Sequence, residues 1–182
     1  MPKEKAAKEA TSLVNMYGSL PIIQSTSIEA LVDIAGVSKD TALMIKLLGY
    51  VYSRSITDKY TFGKAYSVDE IKEYLVALYM GIPVETVYCL CVDYRGRLLS
   101  KDVLNVGIVN QSDISARMII ECACRHKASG VILCHNHPKG VASPSDMDIE
   151  STQIIRDTLG IAGIDLVAHY LVAGNECVDV FD

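Results

Sequence analysis

The chain has 182 residues, 50% of them hydrophobic, and a formal net charge of −5 at pH 7. This length predicts one ordinary domain, or one compact domain with a small helical attachment. Glycine, proline and charged residues interrupt the hydrophobic segments before they reach the roughly 20 apolar residues of a membrane span, so we expect no membrane partner. The acidic balance argues against extended nucleic-acid binding, which usually needs a basic surface.

The N-terminal segment and the cysteines bear on where the protein works. The first residues, MPKEKAAKEATSLV, are charged and lack the apolar centre of a secretory signal, so we expect a cytoplasmic protein. None of the six cysteines belongs to a Cys-x-x-Cys pair of the kind that binds structural zinc. Cys89 and Cys91 alternate along a strand-like segment and would share one face. Because cysteine is often buried, we interpret them as reduced core thiols.

The N-terminal third reads as helical. Apolar residues at spacings of three and four predict a helix over residues 2–17, with Gly18 as its stop. Two more helices are predicted over residues 27–36 and from residue 39 to about residue 51, joined by a tight glycine turn. Such a pair forms a helical hairpin.

The remainder of the chain predicts an α/β domain. A polar stretch over residues 54–66 marks the boundary, which gives a helical domain at 1–60 and a second domain at 67–182. Ser67 and Glu70 have the spacing of a capping box at a helix start. Further helices are predicted at 112–127 and 144–159, and strands at 84–92, 98–106, 130–134, 165–172 and 177–181. The first two strands should pair as a hairpin.

Two histidines close to the end of an apolar strand are the strongest chemical signal. Alternation along an extended chain places His135 and His137 on the same side, with Asn136 facing away. Pro138 keeps the second histidine extended. Asp148 follows in the first turns of the next helix. Two imidazoles and one carboxylate suit zinc and leave a fourth tetrahedral position open, which is typical of a catalytic rather than a structural site.

The start of that next helix decides which side chains face the histidines. Ser143 as N-cap and Pro144 as the first helical residue make a strong start signal. Ser145 and Asp148, three residues apart, would then share the face toward the site. The alternative is a plain capping box between Ser145 and Asp148 with no part in chemistry. Pro144 favours the first interpretation.

The string HNHPxGxxxPSxxD resembles the motif of the JAMM (MPN-type) metalloproteases, and in particular their bacterial RadC-like branch. The resemblance covers most of residues 67–182, including Thr152 and His169. It implies an α/β fold of the JAMM/MPN (cytidine-deaminase-like) type, a mixed sheet flanked by helices. It also implies a small all-α helix-hairpin-helix domain in front, which residues 20–53 resemble.

The resemblance also implies roles for individual residues. It makes His135, His137 and Asp148 ligands of Zn²⁺, and Ser145 a hydrogen-bond donor to the oxyanion. The family uses a glutamate at the head of an early strand as general base, and Glu85 stands at the matching position. Its side chain would have to project from the strand end into the site, because a base must lie within hydrogen-bond reach of the water.

Several positions leave alternatives open. Glu121 and Glu150 are rivals of Glu85 for the role of base. The loop after the histidines has Lys139 and Val141 where the family usually has serine and an acidic residue. Ala168 replaces an acidic residue and is expected to weaken any supporting role of His169. His126, at a helix end, is interpreted as a cation on the helix dipole.

The predicted function is a zinc-dependent hydrolase that cleaves a peptide, isopeptide or related amide bond in an unknown protein or peptide substrate. The alternative is a DNA-associated repair accessory protein with a structural or vestigial metal site, which makes a weak DNA contact through residues 20–53. In the hairpin turn, residues 36–38 read Gly-Val-Ser where Gly-hydrophobic-Gly is typical, which weakens that alternative. A protein-interaction module ranks third. Nothing in the sequence assigns an oligomeric state.

Overall fold

The computed structural model describes residues 3–107, 115–138 and 140–181. The helices are α1 (Lys3–Tyr17), α2 (Leu20–Ser25), α3 (Ile28–Asp33), α4 (Lys39–Thr57), α5 (Val68–Tyr79), α6 (Ala116–His126) and α7 (Asp146–Ile161). The strands are β1 (Thr86–Val92), β2 (Leu98–Val106), β3 (Gly130–Asn136), β4 (Asp165–Ala173) and β5 (Glu176–Asp179). The sequence-predicted starts at residues 2 and 112 fall outside the described residues.

The strands form one mixed sheet in the order β2-β1-β3-β4-β5. β1 pairs antiparallel with both β2 and β3, β3 pairs parallel with β4, and β4 pairs antiparallel with β5. The predicted hairpin of β1 and β2 and the predicted mixed sheet are therefore confirmed. β3 is buried at every position, as expected for an apolar strand inside a sheet that is covered on both faces.

Helices cover the two faces of the sheet and divide its core. α5 packs on one face, against a cluster that includes Leu90, Ile132 and Cys134. α6 and α7 pack on the other face, against a cluster that includes Cys89 and Cys91. Because strand side chains alternate, Cys89 and Cys91 share a face and are fully buried, as the sequence predicted. The same alternation directs His135 toward α7.

The N-terminal helices enclose a small core of their own, made of Leu13, Ile23, Leu31, Val37 and Ala42. The sequence analysis missed α2, a short helix with Pro21 in its first turn. It also ended the next long helix too early, since α4 continues to Thr57 and its last turn carries an exposed ion pair between Arg54 and Asp58. The sequence analysis interpreted the polar residues at the solvent-exposed end of α4 as the start of a linker. The division at residues 60 and 67 stays a prediction.

None of the described helices is long and apolar enough to cross a membrane.

Candidate metal centre

The end of β3 and the start of α7 bring the three predicted ligands together. His135 lies within β3, and His137 directly follows the strand, with its N–H donating to the Val172 carbonyl at 2.9 Å. The centroids of the two imidazole rings are 5.2 Å apart. Asp148 faces both rings from the first turn of α7, with Oδ1 3.4 Å from His135 Nε2 and Oδ2 3.9 Å from His137 Nε2. The Asp148 carboxylate therefore lies within 3.9 Å of a ring nitrogen of each histidine.

The loop after His137 turns back over that residue. The Gly140 N–H donates to the His137 carbonyl at 3.3 Å. A Cβ atom at Gly140 would lie 3.1 Å from the Cβ of His137, so the close approach favours glycine. Lys139 lies outside the described residues, and Val141 is 74% exposed at the rim.

The start of α7 corrects the sequence analysis. Ser145, not Ser143, is the N-cap, and Pro144 precedes the helix. The Asp148 N–H donates to Ser145 Oγ at 3.1 Å, and the Ser145 N–H donates to Asp148 Oδ2 at 2.8 Å, which makes a capping box. The predicted start was wrong because Ser145 and Asp148 satisfy two free backbone N–H groups reciprocally, which outweighs the preference of Pro144 for the first turn.

This capping box is part of the site rather than an alternative to it. The Ser145 hydroxyl also donates to Asp148 Oδ2, at 2.6 Å. Burial by itself would raise the pKa of Asp148, but the hydrogen bonds from the Ser145 hydroxyl and N–H, together with the neighbouring His135 and His137, hold that pKa below its usual value. The carboxylate that caps the helix therefore faces the histidines in its ionised form.

A chain of hydrogen bonds fixes the tautomer of His135. The Thr152 hydroxyl donates its proton to the Asp148 carbonyl, so at its 2.7 Å contact with His169 Nδ1 it must accept. His169 Nδ1 then carries the proton, and its Nε2 must accept from His135 Nδ1 at 2.9 Å. The proton of His135 is consequently on Nδ1. Its Nε2 presents a lone pair to the site.

The electrostatics of the cavity fit a cation. Burial lowers the pKa of His135 to about 4 and that of His169 to about 3, so both rings are neutral near pH 7. His135 Nε2 is buried without a hydrogen-bond partner, and Asp148 Oδ1 lies 3.4 Å away. A lone pair and a carboxylate at this distance repel each other. In a tetrahedral site with metal–ligand bonds of 2.0–2.1 Å, two ligand atoms lie about 3.3 Å apart, so these residues fit a zinc-sized ion.

Glu85 lies beside this group, as predicted. It immediately precedes β1, and its carbonyl accepts the Gly107 N–H at 2.8 Å. A carboxylate oxygen of Glu85 and ring nitrogens of His135 and His137 all lie within 4.8 Å of one another. Burial raises the pKa of Glu85, although the nearby His137 acts in the opposite direction. A carboxylate with a raised pKa suits proton transfer near neutral pH.

The two rivals of Glu85 are elsewhere. Glu121 accepts from Arg117 Nε at 2.8 Å on an exposed face of α6. Glu150 is exposed on α7. Neither lines the cavity of about 200 Å³ that contains the predicted site residues. Its polar lining comprises Glu85, His135, His137, Ser145, Asp148, Ser151 and His169.

Comparison with known families identifies the domain that contains this site. The family model of the RadC-like JAB domain matches residues 65–180. The chain belongs to the RadC-like JAB domain family.

Relatives of this RadC-like JAB domain protein occur in several bacteria. A UPF0758 protein of Cupriavidus taiwanensis is 26% identical over 174 residues, which are 95% of this chain and 76% of the relative. One from Vibrio cholerae is 29% identical over 170 residues, or 93% of this chain and 76% of the relative. One from Pseudomonas syringae is 33% identical over 107 residues, or 59% of this chain and 48% of the relative.

Asn136 contacts the backbone next to Glu85, which the sequence analysis did not foresee. Its Oδ1 accepts the Thr86 N–H at 2.8 Å, and its Nδ2 donates to the Val84 carbonyl at 3.3 Å. These two bonds hold the backbone on both sides of Glu85. Asn136 faces away from the cavity, as predicted. It nevertheless holds the backbone of Glu85, which immediately precedes the neighbouring strand β1 and enters the cavity. A buried amide in an apolar strand was the available signal.

The expectation for His169 was wrong. Ala168 was expected to weaken any supporting role of this histidine, but His169 contacts His135 directly. Ala168 belongs to the cluster on the opposite face of the sheet, together with Ile132 and Tyr170. Neighbours along a strand point to opposite faces, so the side chain of Ala168 points away from the His135–His169 pair.

Proposed function

We propose that this chain is a zinc-dependent hydrolase of the JAMM type that cleaves a peptide, isopeptide or related amide bond. The observation that carries the proposal is the buried lone pair of His135 Nε2, which lies 3.4 Å from Oδ1 of the ionised Asp148. This is about the distance between two ligand atoms of one tetrahedral zinc ion. Membership in the RadC-like JAB domain family supports it.

His135, His137 and Asp148 would hold the ion and leave one position open. Zinc in such a site lowers the pKa of water to about 7 and polarises a carbonyl group. The Glu85 carboxylate is the group in the cavity that can take the proton from the attacking water and return it to the leaving nitrogen.

Ser145 donates two hydrogen bonds to Asp148, and these two bonds divide its roles. Its N–H and its hydroxyl both donate to Asp148 Oδ2. If the hydroxyl turns toward the oxyanion of the substrate, the N–H still holds the carboxylate. We therefore assign oxyanion stabilisation to the hydroxyl and ligand positioning to the backbone.

A cleft beside the cavity gives room for an extended substrate. It has a volume of about 310 Å³ and shares His137 with the metal cavity. Pro21 and Ile22 of α2 form one of its walls, and Val141 and Ala142 of the loop after β3 form another. Ser25 Oγ and the Pro138 carbonyl, 3.5 Å apart, bring the helical region and this loop together. A polypeptide in this cleft would reach His137.

The first test is metal content. The chain, stripped by a chelator and reloaded with zinc, should regain an ion bound at the histidine site. His137→Ala should lose this ion, and Glu85→Gln should keep it. Retention of the same zinc stoichiometry in His137→Ala would exclude the site.

The second test is cleavage. The zinc-loaded chain is incubated with a peptide library, and new termini are identified by mass spectrometry. Glu85→Gln should lower the rate by about 10²–10⁴-fold, the usual contribution of a general base. Glu121→Gln, which alters the exposed rival, should leave the rate unchanged. Equal rates for Glu85→Gln and the parent would refute the assigned role.

The DNA-binding alternative gains no support from the described residues. Residues 20–53 contain two lysines and three acidic residues, so this region has no basic excess. Ser38 caps α4 by accepting the Thr41 N–H at 3.1 Å, which removes one N–H group from contact with phosphate. DNA contact through this region stays a prediction.

A further inference from the structure

A second group of ligand-type side chains lies on the same sheet face, at the other end of β1. The thiols of Cys89, Cys91 and Cys122 lie within 4.8 Å of one another. Cys91 Sγ and Cys122 Sγ are 3.7 Å apart. Cys89, the nearer of the two β1 thiols, is four residues along the chain from Glu85, which corresponds to about 13 Å of extended strand. This thiol cluster is therefore separate from the histidine site.

Polar side chains border the thiol cluster on one flank. A carboxylate oxygen of Asp102, the sulfur of Cys122 and a ring nitrogen of His126 also lie within 4.8 Å of one another. His126 Nε2 is 2.9 Å from Asp102 Oδ2, and the Ser100 hydroxyl donates to the same oxygen at 2.8 Å. His126, interpreted from the sequence as a cation on a helix dipole, therefore has a carboxylate partner from β2.

Burial gives this group a closed interior and a partly exposed polar flank. Cys89 and Cys91 are 0% exposed and Cys122 is 3% exposed. The side chains of His126 and Asp102 are 28% and 23% exposed. Among the residues that the structure describes, the core that includes Ile119 covers the thiols, so an ion would reach them through this polar pair.

The spacing of the sulfurs matches metal coordination. Zinc–sulfur bonds of about 2.3 Å give a tetrahedral site an edge of about 3.8 Å, close to the 3.7 Å between Cys91 and Cys122. Three thiols from β1 and α6 supply three corners, and the adjacent polar pair offers a fourth ligand.

We propose that Cys89, Cys91 and Cys122, with a fourth ligand from the Asp102–His126 pair, form a closed structural site for a thiophilic divalent cation, with zinc as the resident ion. Each thiol that binds releases its proton to solvent, so loading of the site releases protons. With four protein ligands no position is left for water, and the site would stabilise the junction of β1, β2 and α6 rather than catalyse.

The test uses Cd²⁺ as the probe on the full chain, stripped of metal and kept in a thiol-free reductant. The parent should bind two ions, one of which gives the ultraviolet absorption of cadmium–thiolate bonds. His137→Ala should bind one ion and keep this absorption. Cys122→Ser should bind one ion and lose it. Cys124→Ser, which alters an exposed thiol on the same helix, should behave as the parent.

Two results would overturn the proposal: a parent that binds Cd²⁺ without thiolate absorption, or a Cys122→Ser variant that retains it. The number of Cd²⁺ ions that each variant binds distinguishes the two proposals. The thiol site concerns the ion lost in Cys122→Ser, whereas the proposed function concerns the ion lost in His137→Ala. If Cys122→Ser does not fold, Asp102→Asn at the partly exposed flank replaces it. That variant should weaken Cd²⁺ binding at the thiol cluster by about 10–100-fold, and unchanged affinity would overturn the assignment of the flank.

Discussion

The two ends of β1 present the same face of the sheet but different chemistry. Glu85 and Val87 face the cavity of the histidine site, whereas Cys89 and Cys91 face the dry core under α6. The first end meets the N-terminus of α7, where the helix begins and a cavity remains. The second end lies beneath the body of α6. One face of one strand therefore contributes to an open polar site and to a closed sulfur-rich site, and the position of the covering helix makes the difference.

The largest expected effect is a loss of stability in acid, caused by the two buried histidines of the metal site. In the zinc-free protein, His135 and His169 have pKa values of about 4 and about 3, against about 6.5 when unfolded. The unfolded chain therefore binds more protons between pH 6.5 and 4, so stability is fully present above pH 6.5 and falls as the pH drops. The loss by pH 4 should be about 3 kcal/mol for each histidine.

Urea unfolding of the chelated protein between pH 7 and 4 measures this loss. His169→Phe should remove about one proton of uptake on unfolding and flatten the slope. Parallel slopes in the parent and the variant would show that these buried rings do not set the acid sensitivity.

The next largest effect is expected on zinc affinity, from the hydrogen bonds that join His135 to His169 and His169 to Thr152. Thr152→Val keeps the volume but removes the acceptor for the His169 N–H. Zinc affinity at the histidine site should fall by about 10–100-fold, as is usual when a partner behind a ligand is lost. Thr158→Val is the matched control, because the Thr158 hydroxyl bonds to the Ile154 carbonyl on the same helix, outside the site. Equal zinc affinities for the two variants in a competition titration would contradict the inferred tautomer.

The anchor of β1 can be tested separately from metal binding. Asn136→Ala leaves the buried Thr86 N–H without its acceptor and should cost about 1–3 kcal/mol of stability. Cleavage should slow because Glu85 loses its fixed backbone, while zinc content should stay unchanged. Asn105→Ala, which removes a local bond to the exposed Val106, is the control. Loss of zinc in Asn136→Ala would assign this residue to the metal rather than to Glu85.

The smallest expected effects come from a comparison of the capping boxes at the starts of α5 and α7. Ser145→Ala and Ser67→Ala each remove a serine N-cap, so each should cost about 1 kcal/mol in urea unfolding. Ser145→Ala should also weaken zinc binding, because Asp148 loses a hydrogen bond that keeps its pKa low. Ser67→Ala should leave zinc binding unchanged. If both variants bind zinc as the parent does, the box on α7 has a helical role alone.

The site was predictable from the sequence to the extent that its signals are local. The spacing of His135, His137 and Asp148 and the resemblance to a known motif selected the three side chains that the structure brings together. Glu85 was chosen over its rivals on the motif; it lines the cavity, and its role as general base stays a prediction. The helix start at Ser145 was assigned wrongly because two local preferences competed, and reciprocal hydrogen bonding won.

The sequence by itself determined the alternation of helices and strands, the burial of Cys89 and Cys91, and the candidate ligands, since each depends on residues a few positions apart. The tertiary structure alone decided that His169 supports His135, that Asn136 holds the backbone around Glu85, and that Cys122 meets the thiols of β1. These contacts join residues from about 30 to about 50 positions apart. The physical reason is that strand pairing and helix packing set such distances, while periodicity and capping report only on neighbours along the chain.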